Sequence, residues 1–396
     1  MQRIYNMVGL IEKLATEGNQ KMLEAIKFLL YNENENIFEV LDFENDLIYK
    51  EPFLFTYFNV DELTNLDSVL FPYCDKEVLK LKTDIEGRFY IPQKGWFSTH
   101  CISEELTIRK PHYEAFLNGN KIECVSEGVD YIEDTKIELL KYPLPYLEPL
   151  FTDADAQVVP VEISKVTQKQ RENLAKAYQL IKKYNPECFE LLEKFAFKCV
   201  VFNTDFMNKN SFSHKYAHGL TFYNSYQEDY DEIFFIDDIS HQSAHVILTN
   251  ILFENDNFFK IDKETSLQEL LIGKNINVVE TRTLEVVFHA LFTYYFIFDN
   301  LDKLYSNVQL NPRQEHEVLG RISIYILKCQ NDLLLLEHLF GKEENIFFEY
   351  GMFIFTEMKN KLLEMKNKYK EVYETYDFKD HPYNFTYQQF AEKNPI

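Results

Sequence analysis

The sequence predicts a mainly α protein with small β elements (α+β), built from a smaller mixed N-terminal domain and a larger helical C-terminal one. Three observations carry this expectation. Beyond about residue 160, apolar residues recur mostly at the three- and four-residue spacing of amphipathic helices. Short β-type runs separated by Gly, Pro and Asn turn residues are concentrated between residues 87 and 125. Between these textures, residues 142–149 contain three prolines, which oppose regular structure and mark a linker. The expected domains are therefore residues 1–155 and 156–396.

Residues 1–32 read as one or two helices, since Met7, Leu10, Ile11 and Leu14, then Met22, Ile26, Leu29 and Leu30, keep helical spacing. The alternating Asn and Glu of residues 32–36 form a polar turn. The runs 88–92, 106–109 and 121–125 are expected strands, parted by Gly95, Pro111 and the Asn118-Gly119-Asn120 turn. Residues 167–183 form an amphipathic helix, and Pro186 opens the next. Residues 200–202 read as a strand, and 211–213 with 219–223 as a second short extended pair. A helix carrying His241 and His245 follows, with Asp237 and Asp238 at its start, where carboxylates suit the helix dipole. Residues 253–277 read as a polar loop with one helical turn at 267–271, in the manner of a lid or insertion. Helices are expected over 278–298, 314–340 and 345–373, and the tail after Tyr376 as a surface segment.

Composition narrows the function classes. The chain has 396 residues, 46% hydrophobic, with 35 Phe and 26 Tyr, ample for a folded core. Its net charge of −23 is a poor match for nucleic acid or anionic lipid. Such acidity attracts a cationic peptide or protein, and it also serves solubility alone. The six cysteines are scattered without a C-x-x-C pair, which fits a reduced cytoplasm and argues against a disulfide framework or a zinc knuckle. The N-terminus lacks a signal-peptide pattern, and the longest apolar run, 286–298, is too short to span a bilayer. A cytoplasmic protein is expected.

The chemistry is expected around His241 and His245. Four residues apart on a helix, they share one face one turn apart and can hold a metal ion together, or they can be structural. The pattern is H-x-x-x-H, with Gln242 where H-E-x-x-H has Glu. On the next expected helix Arg282, Glu285 and His289 would share a face amid apolar residues. Either Arg282 and Glu285 are an ordinary surface pair and His289 a core residue, or His289 joins the first two histidines as a third nitrogen ligand. Arg282, about two turns and roughly 10 Å before His289, could then grip the carboxylate of a chelating co-substrate.

Three stretches carry a resemblance. Ser211-Phe212-Ser213 with Gly219-Leu220-Thr221-Phe222, the Asp238–His245 helix, and Arg282-Thr283-Leu284 with Phe288-His289-Ala290 are similar to the HExxH-motif family of iron- and 2-oxoglutarate-dependent peptide β-hydroxylases. Those enzymes modify ribosomally made peptides, and the likeness covers about residues 156–300. It implies an enzyme holding iron(II) through His241, His245 and His289, with Arg282 binding 2-oxoglutarate. Dioxygen would then hydroxylate a side-chain carbon, Cβ, of a precursor peptide, yielding succinate and CO₂. Residues 1–155 would be an accessory domain recruiting the leader part of that peptide. Three residues depart from the family pattern: Gln242 for Glu, Thr283 for Pro and Ala290 for Gly. Gln cannot act as the general base of a zinc peptidase, which argues against that activity.

Two other readings stand beside this one. A binding protein without metal would explain the three departures. A zinc-peptidase relic would use Glu269, 24 residues past His245, as third ligand. Asp238 is a candidate partner or carboxylate ligand. His214 and His218, also four apart, are a weaker pair beside a glycine run that could instead line a peptide groove. His100, His112, His316, His338 and His381 are isolated.

Overall fold

The structure is a computed structural model that describes residues 6–60, 65–153, 155–274, 276 and 279–396. It is a mixed α+β protein, 54% helical and 13% strand, so helix dominates as the sequence predicts. Among the described residues four α-helices precede the strands: α1 (Met7–Glu33), α2 (Asp46–Tyr49), α3 (Pro52–Asn59) and α4 (Leu66–Leu70). Strands β1 (Val78–Lys82), β2 (Arg88–Ile91), β3 (Gly95–Ser98) and β4 (Glu105–Arg109) follow. Next are β5 (Glu114–Leu117), β6 (Asn120–Lys121), β7 (Val125–Gly128) and β8 (Glu138–Leu139). Helices α5 (Ser164–Tyr184) and α6 (Pro186–Phe195) lead to β9 (Lys198–Phe202), β10 (Phe212–Ser213) and β11 (Leu220–Asn224). The rest is helical: α7 (Glu232–Leu252), α8 (Leu267–Gly273), α9 (Leu284–Asn307) and α10 (Pro312–Phe340), then α11 (Glu349–Lys368), α12 (Lys370–Tyr373) and α13 (Tyr387–Lys393).

The chain groups into two compact units, each gathered from separated stretches. One holds Met1–Gly18, Asn173–Lys194 and Asp229–Ile396; the other holds Asn19–Glu172 and Phe195–Glu228. The division expected at 155/156 is contiguous in sequence, whereas these units are not.

The unit of Asn19–Glu172 and Phe195–Glu228 contains the sheets. Two are antiparallel, in the orders β1-β4-β5-β6 and β2-β3-β7, and enclose Phe71, Leu79, Phe89, Ile91, Phe97, Leu106 and Ile108. The third, β10-β11-β9-β8, is mixed, with β9 parallel to both neighbours. A strand flanked in parallel on both sides is covered on both faces, and all five residues of β9 are buried. One of them is Lys198. Its ammonium is accommodated by Glu138 at 2.7 Å, Glu51 at 3.4 Å and the Tyr90 hydroxyl at 3.1 Å. A buried charge is tolerable only with such partners. The proline-rich stretch expected as a linker is instead a 3₁₀ helix, Pro145–Leu150. Leu144, Leu147 and Leu150 recur every third residue, the 3₁₀ period, and all three are buried.

The other unit is helical around α7, α9 and α10. The side chain of Asp231 caps α7, accepting from the Ile233 N–H at 2.9 Å. The helix therefore starts earlier than expected, and Asp237 and Asp238 lie in its second turn. Of its 21 residues only Asp238, His241, His245 and Thr249 escape burial. Helix α1 approaches α7 backbone to backbone at Gly18, where a Cβ would stand 1.7 Å from the Asn250 carbonyl oxygen. Gly18→Ala is therefore expected to lower stability by about 1–3 kcal/mol through overpacking, read from the urea unfolding midpoint.

Two further expectations change here. Helix α9 begins at Leu284, not 278, because Thr283 is its N-cap and pairs with Ser266 in an isolated β-bridge. The tail beyond Tyr376 is packed. Phe385 and Phe390 are buried against α10, where Gly320 leaves the room that their rings fill. No helix among the described residues is long and apolar enough to cross a membrane. All six cysteines are free thiols.

Candidate metal centre

Helix α7 presents one open stripe, Asp238, His241, His245 and Thr249, in steps of three, four and four residues. That is the rise of a single helical face. Everything else on the helix is buried, so its rotation is fixed, and the half-buried stripe is the part of the helix that carries polar groups. The imidazoles of His241 and His245 lie 5.0 Å apart, centroid to centroid, as the four-residue spacing predicts. Helix α9 packs along α7 and brings His289 to His245, with their Nδ1 atoms 3.1 Å apart. These three rings, with His289 44 residues beyond His245 in sequence, form one row on two helices.

Burial sets their protonation. It pushes the His241 imidazole down to about 4, helped by the Lys328 ammonium and opposed by Asp237. Burial also holds His245 well below the ordinary histidine range, with His241 and His289 adding to the effect. Both are therefore neutral at pH 7 and keep a lone pair for a cation, which is the state a metal requires.

The donor set fits a borderline transition metal in type. Two nitrogens bound to one ion at about 2.0–2.1 Å lie roughly 3 Å apart, so the His245–His289 separation of 3.1 Å matches. The third ring is less well aimed. The interplanar angles are 30° for His241 and His245 and 22° for His245 and His289. Rings so nearly parallel send their in-plane lone pairs side by side, and convergence of all three takes side-chain rotation. Accordingly, among the described residues no three His, Cys, Asp or Glu side chains are already gathered as a metal cage.

Arg282 sits outside the helix on which the sequence reading placed it. It lies in the extended segment before α9, where its carbonyl accepts from the Leu267 N–H at 3.2 Å. Glu280 grips its guanidinium at Nε (2.8 Å) and Nη2 (2.7 Å), and Asp332 of α10 adds a contact to Nη2 at 2.8 Å. Glu280 is the main reason that the guanidinium is held more firmly protonated than usual. The cation expected to meet a co-substrate is thus already matched by two carboxylates, with Nη1 as the remaining nitrogen.

Several residues of this neighbourhood were not singled out from sequence, or were given a bland role. Glu285, one turn before His289, places Oε1 3.7 Å from His289 Nε2 and is itself held by Lys263 at 3.1 Å. The adjoining His289 ring is the chief cause bringing its carboxyl down to about 2. The i, i+4 spacing of Glu285 and His289 was the available signal. Asp237 accepts from Arg321 Nη1 at 2.6 Å and from the Tyr325 hydroxyl at 3.1 Å, and Glu317 holds the other side of Arg321 at 2.7 and 3.0 Å. Lys328, one turn on along α10, donates to the Tyr383 carbonyl, and burial lowers its ammonium to about 8. Residues 321, 325, 328 and 332 form the α10 stripe facing this region, a helical spacing legible only once its partners are known.

Of the remaining candidates only Asp238 shares the α7 stripe. Asp238 is half-buried on the open stripe itself. Gln242 is buried, off the stripe. Glu269 is exposed in the first turn of α8. His214 caps a 3₁₀ turn, its Nδ1 accepting from the Tyr216 N–H at 3.1 Å, and His218 is buried against Phe55. No protein-family model matches this chain, and no curated protein matches it in sequence.

Proposed function

We propose that the protein is a cytoplasmic iron(II)- and 2-oxoglutarate-dependent oxygenase that hydroxylates a side-chain carbon, Cβ, of a ribosomally made peptide. The observation that carries this reading is the meeting of His245 and His289, 3.1 Å apart across two helices, with His241 one turn away. Iron held by these imidazoles supplies the activation of dioxygen. The protein's own part is to keep His241 and His245 neutral through burial and to bring His289 alongside them. Glu285 supports His289: a carboxylate at Nε2 favours the tautomer that keeps the proton there and leaves the Nδ1 lone pair for the ion. Arg282, oriented by Glu280 and Asp332, meets the co-substrate carboxylate through Nη1 or by displacing one of those two acids. Gln242 does not weaken this reading, since hydrogen abstraction from carbon needs no carboxylate base at that position.

A second reading, a binding protein without metal, is favoured by one specific observation: Arg282 is already neutralised by Glu280 and Asp332. The two are separated by protein purified without oxygen. The oxygenase retains about one iron per chain and forms succinate from 2-oxoglutarate when air is admitted, even without peptide. Iron content near background together with no succinate would leave only the binder. Within the oxygenase reading, Glu285→Gln is expected to weaken iron retention by about 10- to 100-fold in competition with a chelator, with the fold unchanged. Retention equal to wild type would remove Glu285 from that role.

A further inference from the structure

The C-terminal part of α1 and the segment after it carry an unusual surface. Phe28 is 64% exposed and Leu47 61%, and Tyr31, Val40 and Phe43 are each more than two-fifths exposed. All five fall between residues 28 and 47, and contacts of Lys27 draw the two ends of that stretch together. Lys27 Nζ stands 4.3 Å over the Phe43 ring and 4.7 Å over Tyr49, and it pairs with Asp46 at 3.5 Å. The α1 terminus is thereby clamped to residues 42–49. Phe38 meets the edge of Phe43 at 5.0 Å and stiffens the platform. Isolated exposed apolar residues need no explanation, but a grouped set that includes aromatics marks a surface awaiting a partner.

The surround states what kind of partner. Between residues 24 and 47 there are seven carboxylates and a single basic residue, Lys27, which the clamp already consumes. Glu33, Glu35, Glu39, Asp42 and Glu44 are exposed. An apolar centre with an acidic rim is complementary to a segment with apolar residues on one face and Lys or Arg on the other. The same rim repels an anionic membrane surface.

We propose that this patch is the docking surface for a basic, amphipathic peptide segment. The proposal rests on the peptide part of the function proposed above and not on the metal, so the two can fail separately. A suitable probe is a labelled synthetic peptide of about 18 residues, five helical turns, with Leu at helical spacing and Lys elsewhere. Fluorescence anisotropy is measured on the full chain without added iron, against a scrambled peptide and one with Glu in place of Lys. The amphipathic basic peptide is expected to bind and the two controls to bind at least about tenfold more weakly. Phe28→Ser/Leu47→Ser and, separately, Glu39→Lys/Glu44→Lys are each expected to weaken binding about tenfold or more. Both pairs are surface changes, and circular dichroism checks that each variant is folded. Equal binding of the scrambled peptide would show bare charge attraction, and wild-type affinity in both variants would place the peptide elsewhere. Self-association abolished by Phe28→Ser/Leu47→Ser would make the patch an interface between copies of this chain. Any of these results overturns the proposal. Binding as expected with no succinate formation would keep it while removing the oxygenase.

Discussion

His241→Ala/His245→Ala is expected to drop iron content to background and to cut succinate formation by at least about 100-fold, with circular dichroism unchanged. The size follows from the ligand count. Loss of a residue that only orients a ligand typically costs 10- to 100-fold, and this variant removes two ligands outright. The fold should survive, because the two side chains are among the four on α7 that are not buried. The single variant His289→Ala tests the same idea from the other helix, since it removes the partner 3.1 Å from His245. Succinate production at the wild-type rate in the double variant would end the oxygenase reading.

Arg321→Met is expected to be the most damaging single change to stability, about 3–5 kcal/mol. Its side chain is 4% exposed, and the carboxylates it joins, Glu317 and Asp237, are 0% and 2% exposed. Burial pushes the Glu317 carboxyl up, and Arg321 opposes that push. Burial alone would also make the guanidinium easier to deprotonate, but Glu317 and Asp237 more than reverse this. Among the described residues, removing the arginine leaves buried Asp237 with only the Tyr325 hydroxyl and buried Glu317 with only Arg313 at 3.2 Å, which is why breaking such a group costs more than the group itself contributes. The measurement is the first unfolding transition in urea, because a chain of two compact units need not unfold in one step. A shift worth less than about 1 kcal/mol would mean that water reaches the acids and that the cluster is not a closed one. Adding Glu317→Leu and Asp237→Leu to Arg321→Met should recover part of the loss.

How much of this was legible depended on the range of the interaction concerned. The His241–His245 pair was readable because it is local: four residues on a helix fix the face. The strands at 88–91 and 105–109 were readable for the same reason, whereas β3 and β5 carry no such local signal and the run 121–125 is divided between β6 and β7 of two different sheets. The start of α7 was missed because Phe234, Phe235 and Ile236 carry no polar face to mark a period, and its true signal was the capping Asp231. Prolines oppose regular structure in 142–149 by themselves, yet Pro145 opens a 3₁₀ helix, and the three-residue spacing of Leu144, Leu147 and Leu150 is its sign. The apolar periodicity that suggests a helix at Arg282 belongs to residues from Leu284 onward, and Thr283, the N-cap, is the stop that separates them. The partners of Asp237 and Arg282 lie 84 and 50 residues away on α10, and no local pattern reveals them.

The confinement of α7 has a consequence for how this protein can change. Seventeen of its positions are committed to holding neighbours in place, so most substitutions there will be removed for instability before any activity is tested. On this helix, chemistry can drift through only four codons, those for residues 238, 241, 245 and 249. A library restricted to those four would sample nearly every new reactivity that the helix can display without unfolding it.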